Sequence, residues 1–203
     1  MITIFTIIIL IFSVIIHEVS HGYMADFLGD QTPRMQGRLT LNPLKHIDPV
    51  GSILVPLVTY LIGGFTFGWA RPVIYNPHNL KNKRSGEFLI AIAGPASNLI
   101  IALIFGTLIR FTALANIFPN SVIEISTYIV LINIALAIFN LIPLPPLDGS
   151  KLLFAFFPDQ YGRIRYILET YSSIFVLIVV FLLWQIIYPV IPFIFRLFTG
   201  FYL

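Results

Sequence analysis

Residues 7–27 read IIILIFSVIIHEVSHGYMADF, and this stretch decides the fold because an apolar run passes directly into His-Glu-x-x-His. A helix that crosses a membrane needs about 20 largely apolar residues. Ionisable side chains in such a helix are costly and usually functional. The run lacks the basic start and the small-residue cleavage site of a signal peptide. We therefore expect a permanent membrane helix that carries a functional site.

The composition agrees with a membrane protein. Of the 203 residues, 58% are hydrophobic and only 10% are charged, whereas a soluble domain carries about 25% charged residues. The absence of cysteine excludes disulfides and thiolate metal sites. A net charge of +3 without a face rich in Lys and Arg argues against a nucleic-acid partner. We expect the lipid bilayer to be the main surroundings of the chain.

Apolar segments divided by polar loops predict an all-α polytopic membrane protein with one integral-membrane domain over residues 1–203. We expect about four spanning helices and one re-entrant segment, because residues 50–67 are short and rich in Gly and Pro. Short membrane-associated strands are expected as well, the clearest pattern being RLTL at residues 38–41. The apolar segments cover residues 1–24, 50–67, 87–108, 122–147 and 167–188.

His17 and His21 are spaced to bind one metal ion. Residues i and i+4 lie one above the other on one face of a helix, so both imidazoles can reach a single zinc ion. Glu18 follows the first histidine and is placed to take a proton from an attacking water, as in soluble zinc peptidases. The alternative to a metal site is that the two histidines only cap a helix, and the membrane setting disfavours this interpretation.

Zinc in a catalytic site takes three protein ligands, so a third one is required. Asp148 is a candidate because it follows the fourth apolar segment, where Pro143, Pro145 and Pro146 break the helix. Broken backbone at membrane depth is tolerated where it lines a cavity. An ordinary loop at the membrane surface remains an alternative on this motif alone.

Three motifs in one order resemble the site-2 proteases, a family of zinc intramembrane proteases. They are HEVSH at residues 17–21, GPASN at residues 94–98 and NLIPLPPLDG at residues 140–149. The chain is most similar to the small bacterial branch of this family, which has no PDZ or CBS domain. The resemblance covers most of the chain.

The resemblance implies an intramembrane zinc endopeptidase that hydrolyses peptide bonds within or near transmembrane helices of membrane-protein substrates. Glu18 would be the general base of the reaction. Asn98 and Asn140 would line the cleft and contact the substrate; without the resemblance, Asn98 would be read as a hydrogen bond between helices. The single zinc ion would be held by His17, His21 and Asp148.

The orientation follows from ligand depth and loop charge. His21 and Asp148 both lie near the C-terminal ends of apolar segments, and these ends share one side of the membrane only if residues 50–67 re-enter. Ten of the 12 Lys and Arg residues then lie on that side, and only Arg110 and Arg196 lie elsewhere. The positive-inside rule makes that side cytoplasmic. We therefore expect a multi-pass protein of the cell membrane with its active site toward the cytoplasm.

A membrane metal-ion transporter that uses the same His and Asp site is the alternative function, because intramembrane His and Asp also mark ion pathways. Glu18 separates the two functions, since a hydrolase requires a base beside the first ligand and a transporter does not. The sequence leaves the substrate, the cleavage position and the oligomeric state open.

Overall fold

The computed structural model describes residues 2–63, 68–115, 119–156 and 188–203, and all regular structure within them is helical. The polytopic, all-α class predicted from the sequence is thereby confirmed in outline. The helices of these ranges are α1 (Ile2–Phe27), α2 (Thr32–Met35), α3 (Val55–Gly63), α4 (Lys83–Ala115), α5 (Asn120–Asn140), α6 (Asp148–Phe156) and α7 (Val190–Thr199). Two 3₁₀ helices cover Pro43–Lys45 and Pro77–Asn79, and a π-helical segment covers Pro49–Leu54.

Three of these helices are long and apolar enough to cross a membrane, namely α1, α4 and α5. Their outward surfaces are apolar, as Ile7 and Ile104 illustrate with exposed fractions of 52% and 58%. Contact of such an apolar surface with lipid is favourable, whereas its contact with water is not. The predicted fourth span falls on residues 167–188, which lie outside the described residues except for the last one, so the expected number of spans stays a prediction.

Helix α4 is the centre of the bundle and packs against α1, α5, α6 and α7. A buried cluster joins α4, α5 and α7 on the side away from the polar loops. Small residues of α4 allow the close approach: an added Cβ on Gly106 would lie 2.7 Å from Cβ of Phe198. The buried members of the cluster are Ala102, Ile109, Val130, Ile134 and Phe195.

The segment of residues 51–69, which contains α3, begins and ends at neighbouring positions. The N–H of Trp69 donates to the carbonyl of Gly51 at 3.0 Å, and the hydroxyl of Ser52 donates to the carbonyl of Trp69 at 2.9 Å. The Trp69 indole lies where a Cβ on Gly51 would collide with it. Between these contacts lies α3, which is shorter than a membrane span. The two ends of the segment are therefore neighbours.

The predicted strands are wrong for the described residues, where no strand occurs. Residues 38–41 form a bend instead of the expected RLTL strand. Polar side chains of this loop bind its own carbonyls: the Arg38 guanidinium donates to the carbonyl of Lys45, and Nε2 of His46 donates to the carbonyl of Thr40 at 2.8 Å. A strand needs a partner strand to pair its backbone, and this loop has none.

Hydrogen bonds to Asp30 connect the loop after α1 to the loop before α4. Its carboxylate is fully buried and accepts hydrogen bonds from the backbone and hydroxyl of Thr32, from the N–H of Asn76 at 2.6 Å and from Nδ2 of Asn79 at 2.8 Å. A buried carboxylate requires such donors. The donors therefore fix the polar end of α1 against that of α4.

The prolines of the NLIPLPPLDG motif end α5 as predicted. Helix α5 stops at Asn140, a turn follows, and α6 starts at Asp148. An added Cβ on Gly149 would collide with the carbonyl oxygens of Leu141 and Ile142. A glycine is therefore needed where α6 meets the end of α5, and this contact brings Asp148 toward the bundle.

Candidate metal centre

Three buried side chains that are far apart in the sequence converge at one point. Oδ2 of Asp148 lies 3.0 Å from Nε2 of His17 and 2.9 Å from Nε2 of His21. The two Nε2 atoms are 3.1 Å apart. The exposed fractions of the three residues are only 5–6%. The structure thus brings together the three residues that the sequence predicted as ligands.

The opposite edge of each imidazole is fixed by α4. Nδ1 of His17 lies 2.6 Å from Oδ1 of Asn98, and Nδ1 of His21 lies 2.6 Å from the carbonyl oxygen of Ile90. Both partners are acceptors, so both Nδ1 atoms carry the proton, a tautomer inferred from these bonds. Each Nε2 atom therefore presents a lone pair to the centre, as ligating histidines do.

This arrangement fits a zinc ion. Ligand distances of about 2.0–2.1 Å place neighbouring ligands of a tetrahedral zinc roughly 3.3 Å apart, and the three atoms here are 2.9–3.1 Å apart. Two lone pairs and a carboxylate oxygen repel one another at this separation unless a cation lies between them. Nitrogen and oxygen ligands without a thiolate also suit zinc.

A buried chain of hydrogen bonds connects His17 to the middle of the bundle. Nδ2 of Asn98 donates to Oδ1 of Asn133 at 2.8 Å, and Nδ2 of Asn133 donates to the hydroxyl of Ser13 at 2.9 Å. Both asparagines are fully buried. Asn98 was predicted to contact substrate, but its carboxamide faces His17 and Asn133, a placement that favours orienting the imidazole of His17.

The sequence analysis missed Asn133 and Ser13. Asn133 carried a usable signal, because it is a polar residue inside an apolar span and lies seven residues before Asn140, on nearly the same helix face. Ser13 carried none, since an isolated serine is common in membrane helices and often binds its own backbone. Only the packing of α1 against α5 reveals its role.

A cavity of about 110 Å³ opens beside the three ligands. Glu18 lines it, and Oε2 of Glu18 accepts the N–H of Val73 at 2.9 Å. Asn140 lines it too, while its Nδ2 donates to the carbonyl of Leu136 in its own helix. The remaining residues of the wall are His17, His21, Pro72, Val73, Tyr75, Pro146, Asp148 and Lys151.

Lys151 is a third residue of the site that was not predicted from the sequence. Its Nζ donates to Oδ1 of Asp148 at 3.1 Å, from the next turn of α6. The carboxylate of Asp148 is thus divided, with Oδ2 toward the histidines and Oδ1 toward the ammonium group. The signal was a basic residue three positions after the aspartate of the Asp-Gly turn, on the same face of a new helix.

Comparison with known proteins identifies the family. The model of peptidase family M50 matches residues 109–184, which include the NLIPLPPLDG motif. YwhC of Bacillus subtilis, named as a zinc metalloprotease, is 42% identical over 154 residues, covering 73% of this chain and 67% of YwhC. The chain belongs to peptidase family M50. The family and the peptidase class predicted from the sequence are therefore confirmed.

Other relatives of this M50 chain also carry the name of zinc metalloproteases, in agreement with the expected cofactor. Rip2 of Mycolicibacterium smegmatis is 30% identical over 70% of this chain and 52% of its own length. MJ0392 of Methanocaldococcus jannaschii is 27% identical over 78% of this chain and 36% of its own length. The match thus spans about half or less of these two relatives. No solved structure matches the chain.

Proposed function

We propose that this M50 chain is a zinc endopeptidase that cleaves membrane proteins within or next to their transmembrane helices, as in regulated intramembrane proteolysis. The observation that carries the proposal is the convergence of Asp148, at the start of α6, with His17 and His21 of α1, a helix long and apolar enough to cross a membrane. The same geometry supports these three residues as the zinc ligands. A single membrane domain over residues 1–203 is part of the proposal.

Glu18 is the general base of the proposed reaction. It lines the cavity beside both histidines. The N–H of Val73 binds one carboxylate oxygen and leaves the other for a water molecule. Glu18 takes a proton from that water and returns it to the leaving amine. Zinc, when bound, supplies Lewis-acid polarisation of the scissile carbonyl.

The substrate backbone must leave its helix before it can be cleaved, because helical peptide groups are already hydrogen-bonded. Residues 68–76 belong to no helix or turn and contact Glu18 through the N–H of Val73. The alternate N–H groups of Trp69, Arg71 and Val73 are bound within the protein. An unwound substrate that pairs with this segment would therefore use its other edge, where Pro72 has no N–H.

We further propose that the active site faces the cytoplasmic side of the membrane. The contact between Gly51 and Trp69 supports a re-entrant segment at residues 50–67, because both of its ends lie at one depth. Most Lys and Arg residues then lie on the side of the metal centre, which the positive-inside rule makes cytoplasmic. Asn140, in the wall of the cavity, is proposed to contact the substrate.

The decisive experiment compares cells that make the parent protein with cells that make Glu18→Gln. Proteomics should detect membrane-protein fragments that only the parent releases, while zinc content stays at one ion per chain in both. Glu124→Gln is the matched control, since Glu124 is an exposed residue of α5, and it should cleave like the parent. Identical fragments from parent and Glu18→Gln would refute the peptidase, and zinc uptake without cleavage would support the transporter.

A further inference from the structure

The described wall of the metal cavity contains one permanent positive charge, that of Lys151. The other charged groups there are the carboxylates of Glu18 and Asp148, and the imidazoles are neutral ligands in the tautomer argued above. Peptide hydrolysis places new negative charge on the carbonyl oxygen of the scissile bond. A fixed positive group near that oxygen lowers the barrier, because it costs no reorganisation during the reaction.

Lys151 is held where it can act on that oxygen. The bond from Nζ to Oδ1 of Asp148 uses one of its three N–H donors. Asp148 itself is anchored toward His17 and His21 through Oδ2. The ammonium group is therefore separated from the two histidines by the carboxylate of Asp148, and its two other N–H donors can bind a ligand. Its side chain keeps 37% of its surface exposed, so it is in contact with the cavity rather than enclosed in the bundle.

The position of Lys151 between two cavities points the same way. A second cavity of about 190 Å³ lies beside the first, and the two share Tyr75, Pro146 and Lys151 in their walls. A peptide that extends from one cavity into the other would therefore lie next to Lys151. The ring of Tyr75 lies 6.0 Å from Nζ, at the limit of a cation–π contact, and limits the sideways movement of the ammonium group.

We propose that Lys151 is a further catalytic residue, whose ammonium group stabilises the negative charge that develops on the scissile carbonyl oxygen. This inference rests on the proposed peptidase function. Lys151 forms no covalent bond and transfers no proton; it contributes charge and hydrogen bonds. A merely structural ion pair between residues three apart on a helix contributes little to stability and leaves turnover unchanged.

The test uses the purified zinc-loaded protein in detergent, with fluorescein-labelled casein as the probe substrate. Lys151→Met keeps the length of the side chain and removes the charge, while Lys151→Arg keeps the charge. We expect kcat to fall about 100-fold or more in Lys151→Met with little change in KM, as for loss of an oxyanion donor. Lys151→Arg should retain most of the activity. Lys81→Met, an exposed lysine before α4, is the matched control and should behave like the parent.

Binding of a phosphinic peptide, an anionic mimic of the transition state, is the second readout. Zinc analysis should give one ion per chain in every variant, and the Kd of the phosphinic peptide should rise in Lys151→Met but not in Lys81→Met. A parental kcat and phosphinic-peptide Kd in Lys151→Met would overturn the inference, as would full recovery of activity with added zinc. If the parent does not cleave casein, the binding experiment alone decides whether Lys151 holds an anion. Failure of the proposed peptidase function is read separately, from the Glu18→Gln fragment comparison.

Discussion

Gly94 lies directly against His21: a Cβ added to Gly94 would stand 2.5 Å from Nε2 of His21, and 2.6 Å from Nε2 of His17. No real contact between carbon and nitrogen is this short. At Gly94, helix α4 therefore approaches the proposed metal ligands with its backbone alone, and a side chain at this position would overlap both imidazoles.

Gly94→Ala should consequently disrupt zinc binding. The new methyl group must displace both imidazoles, since Pro95 and the hydrogen bonds of His17 and His21 to α4 leave little room for adjustment. We expect a loss of bound zinc, measured by metal analysis of the purified protein.

Gly106→Ala is the matched control for this substitution. It lies on the same helix and would also overlap a neighbour, Phe198, but far from the ligands. It should lower stability by about 1–3 kcal/mol and keep the zinc. Equal zinc content in Gly94→Ala and the parent would contradict the assigned contact.

Asn133→Ala should weaken zinc binding although Asn133 does not touch the metal centre. The change removes the acceptor of Nδ2 of Asn98 at 2.8 Å and leaves the more distant carbonyl of Ser13 at 3.5 Å, so the bond that orients His17 loosens. Loss of such an outer partner typically lowers metal affinity about 10–100-fold. The affinity can be measured by competition with a zinc chelator. Asn140→Ala should keep the parental affinity, because Asn140 binds only its own helix; equal losses in both variants would argue against a specific network.

Cysteine labelling tests the re-entrant segment. The chain has no native cysteine, so Lys45→Cys and Lys83→Cys each provide a single exposed thiol on either side of residues 50–67. Both should react with a membrane-impermeant reagent from the cytoplasmic side, whereas Arg110→Cys should react from the opposite side. Labelling of Lys45→Cys and Lys83→Cys from opposite sides would mean that the segment crosses the membrane.

The buried carboxylate of Asp30 should make the folded protein less stable in acid. Burial alone raises the pKa of a carboxyl group, but the hydrogen bonds from Thr32, Asn79 and Asn76 outweigh it and hold the pKa of Asp30 below its ordinary value of 3.8. A lowered pKa in the folded state stabilises the fold above that value, and the benefit disappears as the pH falls through the folded pKa. The Tm of Asp30→Asn in detergent should therefore lie below the parental Tm at pH 7.

The same comparison near pH 3 should bring the two Tm values closer together, because the unfolded parent then binds a proton at Asp30 while the folded parent resists it, which favours unfolding. Asn79→Leu, which removes one donor, should show a smaller defect in the same direction. A gap between parent and Asp30→Asn that widens toward acid would contradict the assigned cause.

The sequence predicted the metal centre well because its parts are local. Spacing of four residues on a helix fixes His17 over His21 whatever the rest of the chain does. The prolines before Asp148 end α5 for equally local reasons. The proximity of Asp148 to the two histidines was inferred from the need for a third ligand and from the resemblance to site-2 proteases. The structure places Asp148 next to both histidines.

The remaining features depend on packing, which the sequence pattern does not encode. Alternation in RLTL predicted a strand, but a strand forms only with a partner, and Arg38 instead binds a carbonyl of its own loop. The role of Asn98 follows from which face of α4 meets His17. Lys151 joins the site only because α6 starts at Asp148 and places the two residues on one face.

The separation of the ligands along the chain has a consequence for biosynthesis. Asp148 follows His17 by 131 residues and His21 by 127. A nascent chain emerging from the ribosome exposes its histidine pair long before the carboxylate exists, so every unfinished polypeptide lacks the third ligand. The proposed three-ligand site can therefore be completed only after α6 has been synthesised and packs against α4.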